Sequence, residues 1–473
     1  MEFDVRPSEA ENRSYRAGLI LLAILIVAVL VLQFTGNRLS QGPESVASND
    51  RAQFLRSGDI YAKLQVAWPY RQFADYAVAS YERAVPSPAA YRRLGVLKLA
   101  LGEPGLADLR KIDSAEARRG LDLDKKEVAK LHRERRMWER VYGPGELTPA
   151  EARRYAATIR ELNLEPLKES AVAQVYRKAG LAETAQRAMA SARTRYRISL
   201  IAGGVLIVLL GMGGLAGLAI AGMFVVTTLP RLDPAPLTHI RPSALIRAFI
   251  VYLASYMGIG AILEMLSQTT GFDLRGDSAS LLYTGVLIAT GFGAYALGLS
   301  ALVSRIRVGE NWREIGYRTV SAGRDVLWGV MGYCAAMPLV TAAAAQSLMV
   351  SRTLLRQFPT PEQPFGGMIS NGGALEIVLV FFAASVMAPI VEETFFRGML
   401  YTAFRGRLGI GPAVVLTSAI FAVIHPLPGG FLPIFALACV LALLRERSGS
   451  LLPCIVCHSV FNTVSLLMVS LLT

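Results

Sequence analysis

Nine apolar runs, most of them long enough for a helix to cross a bilayer, constrain this chain more than any other feature. They cover residues 18–34, 198–229, 244–266, 280–303, 326–350, 374–404, 411–425, 431–444 and 451–472. A hydrocarbon core of about 30 Å takes roughly 20 apolar residues in a helix, so the runs at 411–425 and 431–444 are short for a full crossing. Lipid offers backbone N–H and C=O groups no partner, which leaves helices or closed barrels as the only spanning structures. Runs of this length read as helices. The expected fold is all-α, a polytopic helical membrane protein of about nine spans.

With 53% hydrophobic and 18% charged residues, the chain is too apolar for a soluble protein and too charged for spans alone. The polar share lies in residues 36–197, read as a soluble helical domain between an N-terminal tail with a retained signal anchor (1–35) and a multi-pass membrane domain (198–473). Arg6, Arg13 and Arg16 precede the anchor, and no convincing small-residue cleavage pattern follows it. Within the soluble domain Thr148-Pro149-Ala150-Glu151 has the form of a capping box with proline at the first helical position. Tyr91, Leu94, Gly95, Gly102 and Ala107 approach the spacing of a tetratricopeptide repeat, as do Ala77, Tyr81 and Ala84, although the period is not kept. Lys125 to Arg140 reads as a solvated helix face, in which His132 has no visible partner.

A net charge of +13 raises the question of nucleic acid, but the arginines gather in short loops between apolar runs. That distribution marks membrane orientation, so lipid is the expected partner and nucleic acid is not. The loops around Arg231, Arg313, Arg405 and Arg445 are rich in arginine, whereas the opposite set holds Arg275, Arg352 and Arg356. The rich loops should be cytoplasmic, which puts the soluble domain outside. All four cysteines fall in apolar segments, so no disulfide framework is expected.

Six polar residues stand where a membrane helix should have none: Glu392, Glu393 and Arg397, then His425, then His458 and Asn462. An ionisable side chain at bilayer depth costs at least about 2.5–3.5 kcal/mol on insertion scales, which makes each a functional-site hypothesis. Glu393 and Arg397, four apart on a helix, share a face, while Glu392 points about 100° away. Arg397 can then neutralise Glu393 and leave Glu392 free. Glu392 and His425 flank the turn at 405–409 at similar distances, roughly 18–21 Å at 1.5 Å per residue, so two antiparallel helices bring them to one depth. His458 and Asn462 also share a face. A carboxylate that activates water, with imidazole and amide donors near a developing oxyanion, has the parts for peptide hydrolysis. The same glutamates and histidines could instead hold a divalent metal, with Glu392, His425 and His458 as the candidate ligands. Cys454-Ile455-Val456-Cys457-His458 matches the pattern of covalent haem attachment, yet it lies in an apolar helix, where cysteine is an ordinary small residue.

Glu392-Glu393-Thr394-Phe395-Phe396-Arg397 fits an E-E-x-x-x-R motif, Phe421 to His425 an F-x-x-x-H motif, and His458 to Asn462 an H-x-x-x-N motif. In order and spacing the set resembles the CAAX protease and bacteriocin-processing family of intramembrane endopeptidases, over about 374–472. The resemblance implies that Glu392 activates water with help from His425. It also implies that His458 and Asn462 stabilise the oxyanion, and that Glu393 and Arg397 support the site. Metal dependence has been described in that family, so a divalent ion stays open. The expected function is intramembrane hydrolysis of peptide bonds, in a multi-pass protein of the bacterial plasma membrane. A protein or peptide substrate, or another protein partner, would be recruited by the helical domain. The rivals are a catalytically inactive membrane scaffold or adaptor, and a transporter using the charges as a relay, which the lack of recognisable inverted repeats disfavours.

Overall fold

A computed structural model describes residues 8–39, 43–119, 125–224, 226, 237–270, 280–304, 312–353, 373–425 and 430–472. Among them no strand occurs. The helices are α1 (Glu9–Leu39), α2 (Pro43–Ala67), α3 (Arg71–Ala84), α4 (Pro88–Ala100), α5 (Leu106–Leu109), α6 (Lys125–Tyr142), α7 (Pro149–Glu161), α8 (Lys168–Lys178) and α9 (Ala182–Met223). There follow α10 (Pro242–Thr270), α11 (Ser280–Val303), α12 (Ala322–Thr353), α13 (Ala374–Leu408), α14 (Ile410–Val423), α15 (Phe431–Ser448) and α16 (Leu452–Leu472). The chain divides into two compact units, one holding the described residues of Met1–Leu39 and Ile207–Ser470, the other built on Ser40–Leu206.

Seven described helices, α1, α9 to α13 and α16, are long and apolar enough to cross a membrane. Only 6% to 39% of their apolar windows is buried inside the protein. Ile20, Val205, Leu215, Leu327 and Val378 are among the side chains left outward. Exposed apolar surface on that scale is stable only against lipid. The other two expected spans are short. α14 has 14 residues, and α15 closes on Arg445, Glu446 and Arg447. At 1.5 Å per residue α14 covers about 21 Å, less than the hydrocarbon core, so among the described helices seven, against the nine runs of the sequence, are long and apolar enough to reach across.

In the membrane unit α10 packs against α1, α11 and α13, while α15 packs against α12 and α14. The core between them is aromatic, with Phe249, Tyr252, Phe395, Phe396, Phe404 and Phe421 buried together. Glycine makes one of these approaches feasible: a Cβ on Gly298 of α11 would stand 2.5 Å from the ring of Phe395. The turn expected over 405–409 contracts to Gly409 alone, whose φ of 82° lets α13 run to Leu408 and α14 start at once.

The unit on Ser40–Leu206 has its own core around Trp138, Tyr81, Leu97, Ile112, Ile159 and Val172. Thr148 and Glu151 form the reciprocal cap of α7, each accepting the other's backbone N–H at 3.2 and 2.9 Å. Ala77, Tyr81 and Ala84 are buried on α3. The tetratricopeptide spacing at Tyr91 to Ala107 meets an obstacle, because the helix after Gly102 has four residues, too few for the second helix of such a repeat. His132 does have a partner. Its Nδ1 meets Asp113 Oδ2, which also accepts Arg135 Nε at 2.8 Å.

Candidate active site

The site grows from α13, which is not a uniform α-helix. Two π-helical stretches, Ala383–Met387 and Thr394–Tyr401, flank the α-helical turns Ala388–Glu393 that carry both glutamates. Pro389 accounts for the first. It has no N–H to donate, and in an α-helix its ring would strike the carbonyl four residues back, so the ladder widens upstream of it.

Glu393 is fully buried, and its Oε1 accepts from Arg397 Nη1 at 2.9 Å. Arg397 also donates from Nη2 to the Ala438 carbonyl at 3.2 Å and lies 4.5 Å over the Phe421 ring. Glu393 Oε1 meets Nδ1 of His458 as well, at 2.9 Å. A carboxylate paired with a guanidinium accepts rather than donates, so His458 Nδ1 carries the proton and Nε2 turns the other way. There, 4.0 Å off, stands Oε2 of Glu392. The Glu392 side chain keeps 23% of its exposure, against none for Glu393. Tyr252 and Tyr256 of α10 lie within its electrostatic reach.

His425 joins this group through Phe421. Its Nδ1 donates to the Phe421 carbonyl at 2.6 Å, leaving Nε2 unengaged by that bond, and its ring centre is 4.7 Å from the Phe421 ring. The same ring meets His458 edge-on at 6.0 Å and Phe396 at 4.8 Å. Phe421 is thus the surface on which His425, His458 and Arg397 assemble. Pro426 to Gly429 lie outside the described residues, as do Arg231, Arg275 and Arg356. Asn462 is aimed elsewhere. Its Nδ2 donates to the Ala384 carbonyl at 2.7 Å.

Among the described residues no three His, Cys, Asp or Glu side chains form a group able to hold a metal ion. His425 and His458 each engage Nδ1, on the Phe421 carbonyl and on Glu393, and neither of these bonds uses Nε2. The haem pattern fails on space, since Cys454 and Cys457 are both fully buried, with Cys454 Sγ on the Leu441 carbonyl.

Several residues of the site left no mark in the sequence. Thr394, next to Glu393, donates to the Ile390 carbonyl at 2.6 Å and meets Tyr317 OH, which in turn lies 3.1 Å from Tyr295 OH. Arg405 and Arg445, read as loop charges, are buried. Arg405 donates Nε and Nη2 to Glu446, whose other oxygen takes Tyr401 OH at 2.6 Å. Only long-range packing, which a periodic pattern cannot report, would have revealed these partners.

Residues 374–464 match the family model described as type II CAAX prenyl endopeptidase Rce1-like. No curated protein and no solved structure matches the chain. The matched stretch runs from the start of α13 into α16 and takes in all six polar residues. What this chain is similar to is therefore an Rce1-like domain, over a stretch that belongs to a polytopic helical membrane protein.

Proposed function

We propose that this chain is an intramembrane endopeptidase in which Glu392 activates water for attack on a peptide carbonyl. The observation that carries the reading is the imidazole of His458, fixed at Nδ1 by the buried Glu393–Arg397 pair and presenting Nε2 to Glu392 across 4.0 Å. That gap is too wide for a direct hydrogen bond. One water held at about 2.8 Å by both groups would close it in a bent arrangement. Glu392 takes the proton as the water oxygen attacks, and returns it to the leaving amine. His458 Nε2, left without a proton in this tautomer, accepts from that water and steers it. Glu393 is the orienting group, because it fixes the tautomer and plane of His458. No step is routed through a metal.

The substrate in this reading is a membrane-associated protein or peptide. The unit on Ser40–Leu206 recruits it, or a partner protein, from the extracytoplasmic side of a bacterial plasma membrane. Glu392→Gln removes the base while keeping size and hydrogen-bonding capacity. Mass spectrometry of membrane peptides from cells with wild-type or Glu392→Gln protein should show products that only the wild type releases, with both proteins accumulating equally. Normal product release by Glu392→Gln would sink the mechanism. Products from neither protein would leave a scaffold as the better reading.

A further inference from the structure

The hairpin of α2 and α3 ends beside the point where α9 turns apolar. Tyr81 OH of α3 donates to Asp59 Oδ1 of α2 at 2.7 Å, and the Tyr61 and Tyr76 rings stand 5.2 Å apart. These pairings make the two helices antiparallel, with Trp68, Pro69 and Tyr70 at the tip. The tip is tied to α9. Arg197 Nε donates to the Ala67 carbonyl at 2.8 Å, and Trp68 packs with Val66, Ala67, Tyr196 and Leu200. The apolar run of α9 opens at Ile198, so Leu200 lies about 3 Å inside it at 1.5 Å per residue. Ile198 and Ile201 are exposed there, the start of the surface that α9 gives to lipid.

The tip is aromatic and uncovered. Tyr70 is 66% exposed and meets Phe73 edge-on at 5.9 Å. Its backbone N–H is spent on the Trp68 carbonyl at 2.7 Å, which closes a three-residue turn around Pro69. Arg71 is offset by Asp75 and Glu103, at 2.8 and 2.5 Å. On α9 itself Arg193, Arg195 and Arg197 are exposed immediately before the apolar run.

We infer that the α2–α3 tip is a lipid-docking surface: Trp68 and Tyr70 enter the headgroup region of the leaflet that α9 crosses first, and the three arginines meet its phosphates. Trp and Tyr join an apolar body to a polar edge, which suits the boundary between headgroups and acyl chains. An exposed tyrosine on a soluble surface needs no explanation. Two aromatic residues fixed level with the first lipid-facing side chains of a spanning helix do. Arginine complements them, since its stem covers apolar surface while the guanidinium reaches for the headgroup. Insertion is shallow, with Arg71 and Gln72 left among the headgroups and in reach of water. The soluble unit is thereby held against the bilayer at two places, α9 and the tip, whichever leaflet that is and whatever the membrane unit catalyses.

The test uses the full-length protein in liposomes. In a cysteine-free background, a spin label on Tyr70→Cys should be relaxed more by oxygen, which concentrates in lipid, than by a water-soluble nickel chelate. Its oxygen-to-nickel ratio should be severalfold that of a label on Arg187→Cys, a well-exposed position about 16 Å back from Ile198 along α9. Equal ratios at the two positions would reject the docking. Protection of the Tyr70 label from both relaxants would assign the tip to a protein contact and reject it as well. A second measurement needs no added cysteine. Lipids brominated near the headgroup end of their chains should quench the tryptophan emission that wild type has and Trp68→Phe lacks. An unquenched difference would overturn the inference even where the cysteine variants do not accumulate.

Discussion

At the residue scale, the site is governed by one fully buried carboxylate. Glu393 has no water to stabilise its charge, and Arg397 and His458 stand in for it at 2.9 Å each. Removing one partner of a buried ion pair costs about 3–5 kcal/mol, more than the pair gains over an apolar substitute, because the remaining charge is stranded. Arg397→Ala should therefore lower Tm and membrane accumulation markedly. Adding Glu393→Gln should restore much of the stability, since the uncompensated charge is gone. Activity should not return with it, because a neutral amide no longer fixes the His458 ring against two competing orientations. Thermal unfolding of the purified single and double variants, with product release measured alongside, checks this. An Arg397→Ala protein as stable as wild type would show that the pair is not the buried support its geometry describes.

At the scale of elements, the soluble unit offers a contact that titrates. Asp113 ties the stretch before α6 to His132 and Arg135 on α6. Burial alone would raise its carboxyl, but hydrogen bonds from Arg135 and His132 outweigh burial and hold it below the ordinary carboxylate value. A carboxyl depressed in the folded state contributes stability that is complete above its unfolded pKa and fades as pH falls through the folded one. Near neutral pH wild type should therefore melt above Asp113→Asn, with the difference in Tm shrinking once pH drops below about 4, the unfolded carboxylate range. A difference that stays constant down to acid pH would mean that the ion pair is not what Asp113 contributes. In the membrane unit the decisive element is α13. A regular α-helix would have been the simplest reading of its apolar run, yet Pro389 puts a π-helical stretch just before the α-helical turns that carry the glutamates.

At the scale of the whole molecule, the arginine distribution predicts sidedness. In a cysteine-free background, Gln72→Cys in the soluble unit should react with an impermeant thiol reagent on intact cells or spheroplasts. Val320→Cys, at a residue 88% exposed before α12, should react only after permeabilisation. The reverse pattern would invert the orientation and make the soluble unit a recruiter of cytoplasmic proteins. Much of the architecture was legible before any fold was known. Run length and the cost of bare backbone in lipid determine that the chain is helical and crosses the bilayer many times. Helical periodicity puts Glu393 and Arg397 on one face, and Thr148 and Glu151 in one cap, because those partners lie within a turn of each other. The tertiary structure alone decided that His458 Nδ1 belongs to Glu393, that Phe421 gathers both histidines, and that Arg405 is sealed onto Glu446. It also set the Asn462 amide on the Ala384 carbonyl. The physical reason is range: local geometry fixes which face of a helix a residue occupies, whereas the atom it meets depends on how helices far apart in sequence rotate and tilt when their side chains pack.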